Sequence, residues 1–201
     1  MPKIRNDCAQ RRFEVQCRAE SIEGVEHPEL WVEGRAARYD APTELFEFEG
    51  VTYYEQICRG AFDGCKMDDV IMNYNHSGKV IARTRNHTLQ LQVDNDGLLV
   101  RARMDGTDEG RRLYDEIVGG YIDRMSFSFS IREESYDTVN KQFNIRGIKR
   151  LYDVSAVDIP AYEDTYIEAR KAAVLDADAQ NRKQAAEAAL AHDKLKLLLT
   201  F

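Results

Sequence analysis

The sequence has no surplus of positive charge. Lysine and arginine number 28 against 35 aspartates and glutamates, giving a formal net charge of −7 and a pI near 5.2. Nucleic-acid binding draws on a basic surface, so DNA is not expected as a direct ligand. No apolar run approaches the roughly 20 residues needed to span a bilayer, and the opening MPKIRNDCAQRR is polar and leads into no apolar stretch. Neither a membrane partner nor a signal peptide is expected. The cysteines Cys8, Cys17, Cys58 and Cys65 make no C-x-x-C pair, which predicts reduced thiols in a cytosolic setting. No His, Asp and Glu cluster has ligand spacing, so neither a metal nor a cofactor is expected. Internal repeats are absent too. What remains is an ordinary soluble composition, 43% hydrophobic and 31% charged, able to fill the core of a domain of about 150 residues.

The most informative stretch is Tyr121 to Ile131, YIDRMSFSFSI. Met125, Phe127, Phe129 and Ile131 alternate with Ser126, Ser128 and Ser130, and a period of two places apolar side chains on one strand face and hydroxyls on the other. Further strands are expected over Phe13 to Ala19, Trp31 to Tyr39, Phe46 to Phe48, Val51 to Ile57, Val70 to Asn75, Thr88 to Val93, Leu98 to Met104, Gln142 to Ile148 and Leu151 to Val157. Asp94-Asn95-Asp96-Gly97 ends in a hairpin dipeptide. Thr107 caps a helix whose stripe is Leu113, Tyr114, Ile117 and Val118, ended by Gly119-Gly120. Strands with one internal helix predict a mainly β (α+β) domain over 1–167, a closed or nearly closed β-barrel with surrounding helices. From about Glu168 to Phe201 glycine and proline are absent and Ala, Lys, Glu and Leu dominate, which predicts a helical tail over 168–201.

A serine hydroxyl is a weak nucleophile until a base takes its proton, and the base needs a third group to hold its tautomer. Ser126, His76 and Asp153 can supply the three roles from three strand ends. Ser128, Ser130 and Ser155 are alternative hydroxyls nearby. His87 is a weaker base, opening a regular strand; His27 lies in a loop and His192 in the tail.

Taken in order, Gly34-Arg35-Ala36, Phe46, Glu55, Arg59-Gly60-Ala61-Phe62, Asn75-His76, Gly97-Leu98, Gly120, Met125-Ser126-Phe127, Phe129, Leu151 to Val157 and Pro160-Ala161-Tyr162 resemble the prohead maturation proteases of tailed bacteriophages. The likeness runs from about Trp31 to Thr165. The family is related in fold to the herpesvirus assemblins, serine proteases on a closed β-barrel. The resemblance implies that His76 is the catalytic histidine, Ser126 the nucleophile and Asp153 the acidic third member. Three positions depart from the family pattern: Ser77 where an acid often follows the histidine, Ser128 for a common glycine, and Asp153 for the more usual glutamate.

What the resemblance further implies is a serine endopeptidase acting through an acyl-enzyme. It would work inside the assembling prohead in the bacterial cytoplasm, cutting internal scaffold or a capsid-protein extension, and itself. Related assemblins suggest oxyanion donors in the loop Asp158 to Tyr162 and activity as a homodimer or higher oligomer. A competing reading is a catalytically silent assembly module that binds capsid protein through its tail. A metal-dependent hydrolase would need a ligand cluster that the sequence does not contain.

Overall fold

The computed structural model describes residues 9–14, 18–21, 29–158, 183, 184 and 186–188. The tail beyond residue 158, apart from a few helical positions, lies outside the described residues, as do Cys8, Cys17, His27 and His192.

Eleven strands are described, and they pair into two sheets. The larger contains β1 (Ala9–Glu14), β4 (Thr43–Phe48), β5 (Val51–Ile57), β6 (Ile71–Tyr74), β7 (Ser77–Arg83), β10 (Arg124–Asp137) and β11 (Gln142–Val157). The smaller runs β2 (Arg18–Ser21), β3 (Leu30–Arg38), β9 (Gly97–Arg103) and β8 (Leu89–Val93). The domain is mainly β, as composition and pattern predicted. Among the described residues the ladders end at these two sheets, and the ring closure of a β-barrel is not found. The single strand expected over Phe13 to Ala19 is instead β1 and β2, which belong to different sheets.

Alternation explains most of the core. Along β9, Leu98, Val100 and Ala102 point inward, and along β3 Val32 does so with Ala36 and Ala37. Consecutive alanines can both be buried because the β3–β9 register slips between Arg35 and Ala37, a bulge that re-aims the strand. These residues meet Met72, Met125, Phe127, Phe129 and Val154 from the larger sheet in one hydrophobic core. Phe127 and Phe129 are fully buried and stack at 4.8 Å. A second small cluster of Leu45, Phe46, Tyr53 and Phe143 supports the other end of the large sheet.

The helix α1 (Asp108–Val118) starts at Thr107, whose hydroxyl accepts the Gly110 N–H at 3.0 Å. Leu113 and Ile117 face the core. Val118, placed in the stripe by its spacing, is instead 60% exposed, because the fourth stripe position rotates past the contact at the helix end.

The predicted β8–β9 hairpin is pinned by an ion pair. Arg35 donates both guanidinium ends to Asp94, at 2.6 and 2.8 Å, and the Asp94 carboxylate also accepts the N–H groups of Asp96 and Gly97. Those donors, the guanidinium first, hold the Asp94 carboxyl well below its usual value of 3.8. A carboxyl depressed in the folded state stabilises it above the unfolded value and loses that contribution as pH falls. The melting-temperature gap between wild type and Asp94→Asn should therefore be widest near neutrality and close on acidification below about pH 4. A gap that stays constant down to strongly acidic pH would contradict this origin.

Candidate active site

The site is built where β6, β10 and β11 run side by side. β10 and β11 are antiparallel with Ser126 opposite Ser155 and Ser128 opposite Asp153. β6 runs parallel along the other edge of β11, with Asn73 beside Ser155. Residues directly opposite share a face, so Ser126, Ser155 and Asn73 form a row across three strands. Asp153, two residues before Ser155, joins the same face.

His76 reaches this row from a tight turn. Tyr74 pairs with Ser77, leaving Asn75 and His76 as a two-residue hairpin loop with φ of 49° and 55°. Left-handed geometry at both positions is that of a type I′ turn, which favours Asn-Gly. A histidine at the second position is held there by tertiary contacts. Its N–H donates to Ser155 Oγ at 3.2 Å, the Asn75 N–H donates to the Ala156 carbonyl, and the Asn75 side-chain oxygen accepts the Asp158 N–H. Tyr74 donates its hydroxyl to the Asp158 carboxylate at 2.7 Å, which raises the phenol's pKa.

The side chains meet in sequence. His76 Nε2 lies 2.7 Å from Ser126 Oγ and His76 Nδ1 lies 2.5 Å from Asp153 Oδ1. Ser126 is 5% exposed, and the His76 and Asp153 side chains 8% and 14%. With the proton kept on Nδ1 and donated in a hydrogen bond to the Asp153 carboxylate, Nε2 is left free to accept from the serine hydroxyl. This arrangement can generate a nucleophilic alkoxide and stabilise the imidazolium that results.

Of the other candidates, Ser155 lies in the same row as Ser126 and Ser128 stands opposite Asp153. Ser128 and Ser130 are buried in the same strand, and Ser130 accepts a long hydrogen bond from the Tyr152 hydroxyl. His87 is exposed at the end of a short 3-10 turn, Thr84–Asn86. The loop residues 159–162 expected to hold oxyanion donors lie outside the described residues. Cys58 and Cys65 are free, and burial pushes both thiols up, Cys65 to about 11. Neither is primed as a thiolate. Among the described residues no group of three or more His, Cys, Asp or Glu could hold a metal ion, and no helix is long and apolar enough to cross a membrane.

Sequence reasoning assigns Asn73 no role and Ser155 only that of an alternative hydroxyl. Asn73 and Ser155 hydrogen-bond at 2.6 Å, and Ser155 Oγ also lies 3.1 Å from Asp153 Oδ1. The available signal was an asparagine inside the otherwise apolar run Val70-Ile71-Met72-Asn73.

Comparison with known proteins assigns the chain. Residues 14–180 match the sequence profile of the caudovirus prohead serine proteases. The chain belongs to that family. Among solved structures the bacteriophage T4 capsid assembly protease, gp21, is similar, with a TM-score of 0.49 and 14% identity over 77% of this chain and 100% of that one. No curated protein sequence matches. A prohead serine protease needs a hydroxyl whose proton has somewhere to go. In this one, Ser126 stands within hydrogen-bond distance of an imidazole that is itself bonded to a carboxylate.

Proposed function

We propose that Ser126 is the nucleophile of this prohead serine protease, His76 its general base and then acid, and Asp153 the carboxylate that fixes the imidazole. The observation that carries this reading is the unbroken chain Ser126 Oγ to His76 Nε2, 2.7 Å, and His76 Nδ1 to Asp153 Oδ1, 2.5 Å. Heavy-atom separations of this size allow proton transfer without rearrangement. Ser126 Oγ attacks the scissile carbonyl carbon while its proton passes to Nε2. The imidazolium, held against Asp153, then protonates the leaving amine as the tetrahedral intermediate collapses to an acyl-enzyme. Water, deprotonated by the same imidazole, hydrolyses the ester and returns the proton to Ser126.

Backbone N–H groups must stabilise the oxyanion. We assign them to residues 158–162, on the resemblance to the assemblins; the first of these, Asp158, is bonded to Tyr74 and Asn75 at the histidine turn. The substrates on this reading are the internal scaffold or an extension of the major capsid protein, and the protease itself. The reaction takes place inside the assembling prohead in the bacterial cytoplasm, with the enzyme as a dimer or higher oligomer.

The decisive experiment co-expresses the full chain, or Ser126→Ala, with its capsid and scaffold proteins and follows intact masses over time. Wild type should produce defined fragments, and Ser126→Ala should produce none. Equal cleavage by both proteins would remove Ser126 from the nucleophile's role. Cleavage by neither, with assembly still dependent on the chain, would favour a silent assembly module.

A further inference from the structure

Ser155 is completely buried, and three polar groups surround its one hydroxyl: the Asn73 amide at 2.6 Å, Asp153 Oδ1 at 3.1 Å and the His76 N–H at 3.2 Å. A hydroxyl has one proton to give and two lone pairs to accept with. The His76 N–H fills one lone pair. With the Asn73 amide oxygen facing Ser155, that oxygen and Asp153 compete for a single proton while the second lone pair stays empty. Turned through a half-rotation, the amide presents its NH2 to that lone pair, and the proton is released to Asp153. Every capacity is then used, and the proton goes to the charged acceptor, where a hydrogen bond is strongest.

We propose, resting on the triad reading above, that Ser155 is a positioning residue that completes a five-member chain. Asn73 donates to Ser155, Ser155 donates to the same Asp153 oxygen that receives His76 Nδ1–H, and His76 accepts from Ser126. Ser155 thereby acts on the imidazole twice. Its proton fixes the carboxylate rotamer and shares the Asp153 charge, and its lone pair holds the backbone of the left-handed His76 residue. Its register explains why one side chain can do both. Ser155 sits between Asn73 and Ser126 in the row across the sheet, directly under the turn.

The consequence is specific. Without the Ser155 proton, Asp153 Oδ1 has one donor fewer and binds the His76 proton more tightly, so the imidazole becomes a base only at higher pH. A freed carboxylate and a loosened turn also slow the reaction. The test labels full-length wild type, Ser126→Ala, Ser155→Ala and Ser155→Thr with a fluorophosphonate probe across the pH range, with a melting temperature for each. Mass identifies the labelled serine. Wild type should label at Ser126 and Ser126→Ala should not. Ser155→Ala should label about tenfold more slowly, the equivalent of about 1.4 kcal/mol in the barrier, with the acid limb of its rate profile moved to higher pH. Ser155→Thr, which keeps the hydroxyl, should recover both rate and limb. A limb that does not move in Ser155→Ala overturns the proposal, as does a threonine variant no better than alanine at matched melting temperature.

Failure of wild type to label at Ser126 would instead count against the nucleophile assignment. Titration of the His76 side chain by NMR in wild type and Ser155→Ala then still decides the role of Ser155. An upward displacement supports it, and an unchanged curve overturns it.

Discussion

Replacing His76 should lower the cleavage rate by about a million-fold, the loss expected when one member of a hydrolytic unit that acts together is removed. Without an acceptor at 2.7 Å the Ser126 proton has nowhere to go, and no other histidine among the described residues can stand in, since His87 is exposed at a separate turn. The choice of variant matters. With φ of 55° at position 76, alanine adds a backbone penalty to the chemical loss, whereas asparagine tolerates the left-handed region. His76→Asn should therefore melt close to wild type while failing to cleave. His87→Ala should cleave at the wild-type rate. Initial rates on the scaffold or capsid substrate, with melting curves for each variant, measure both halves of this expectation. Retention of even a hundredth of the wild-type rate by His76→Asn would place the general base elsewhere.

Asp153→Asn should lower the rate by about ten-thousand-fold through the tautomer of His76. The carboxylate accepts at 2.5 Å from Nδ1, so the single proton of a neutral imidazole sits on that side and Nε2 faces Ser126 as an acceptor. An amide can present NH2 to Nδ1 instead. The proton then moves to Nε2, where it points at a hydroxyl that needs to give up its own. The imidazolium also loses the charge that stabilises it in the transition state. The defect should appear in the maximal rate, with substrate affinity little changed, because Asp153 bonds the imidazole nitrogen that faces away from Ser126. A rise in KM with an unchanged maximal rate would show that residue 153 belongs to substrate binding rather than to the proton path.

How far these positions could be read in the sequence depends on the range of the forces that set them. Local signals were legible. The alternation of Met125, Phe127 and Phe129 placed them in the core, Asp94 to Gly97 marked a hairpin, and Thr107 marked the helix start. The histidine turn was not. The glycine of this stretch is Gly78, yet the chain turns at Asn75-His76 and continues as β7. What overrides the propensity is a set of bonds to Ser155, Ala156 and Asp158, about 80 residues away. Strand lengths were blurred for a different reason. Register slips between Ser128 and Phe129, and again at Ser130 to Glu134, break the period of two, so the continuous strands β10 and β11 read as shorter pieces.

Two further points turned on pairings that no local pattern encodes. Alternation separates the hydroxyls of β10 from its apolar face, yet Ser126, Ser128 and Ser130 are all buried as well. Asp153, one methylene shorter than the glutamate expected from resemblance, still reaches the imidazole. The parallel pairing of β6 with β11 sets the two backbones at neighbouring-strand distance, and the tight turn folds His76 back over Ser155.

The parallel ladder between β6 and β11 joins residues 82 apart in sequence, Asn73 and Ser155. A ribosome reading this chain makes His76 well before the aspartate, and while β11 is still being made the histidine turn has no Ser155 or Ala156 to close on. On the proposed triad, the site can close only once synthesis has passed Ala156. A chain truncated before residue 153 would lack Asp153 and the partners on which the histidine turn closes.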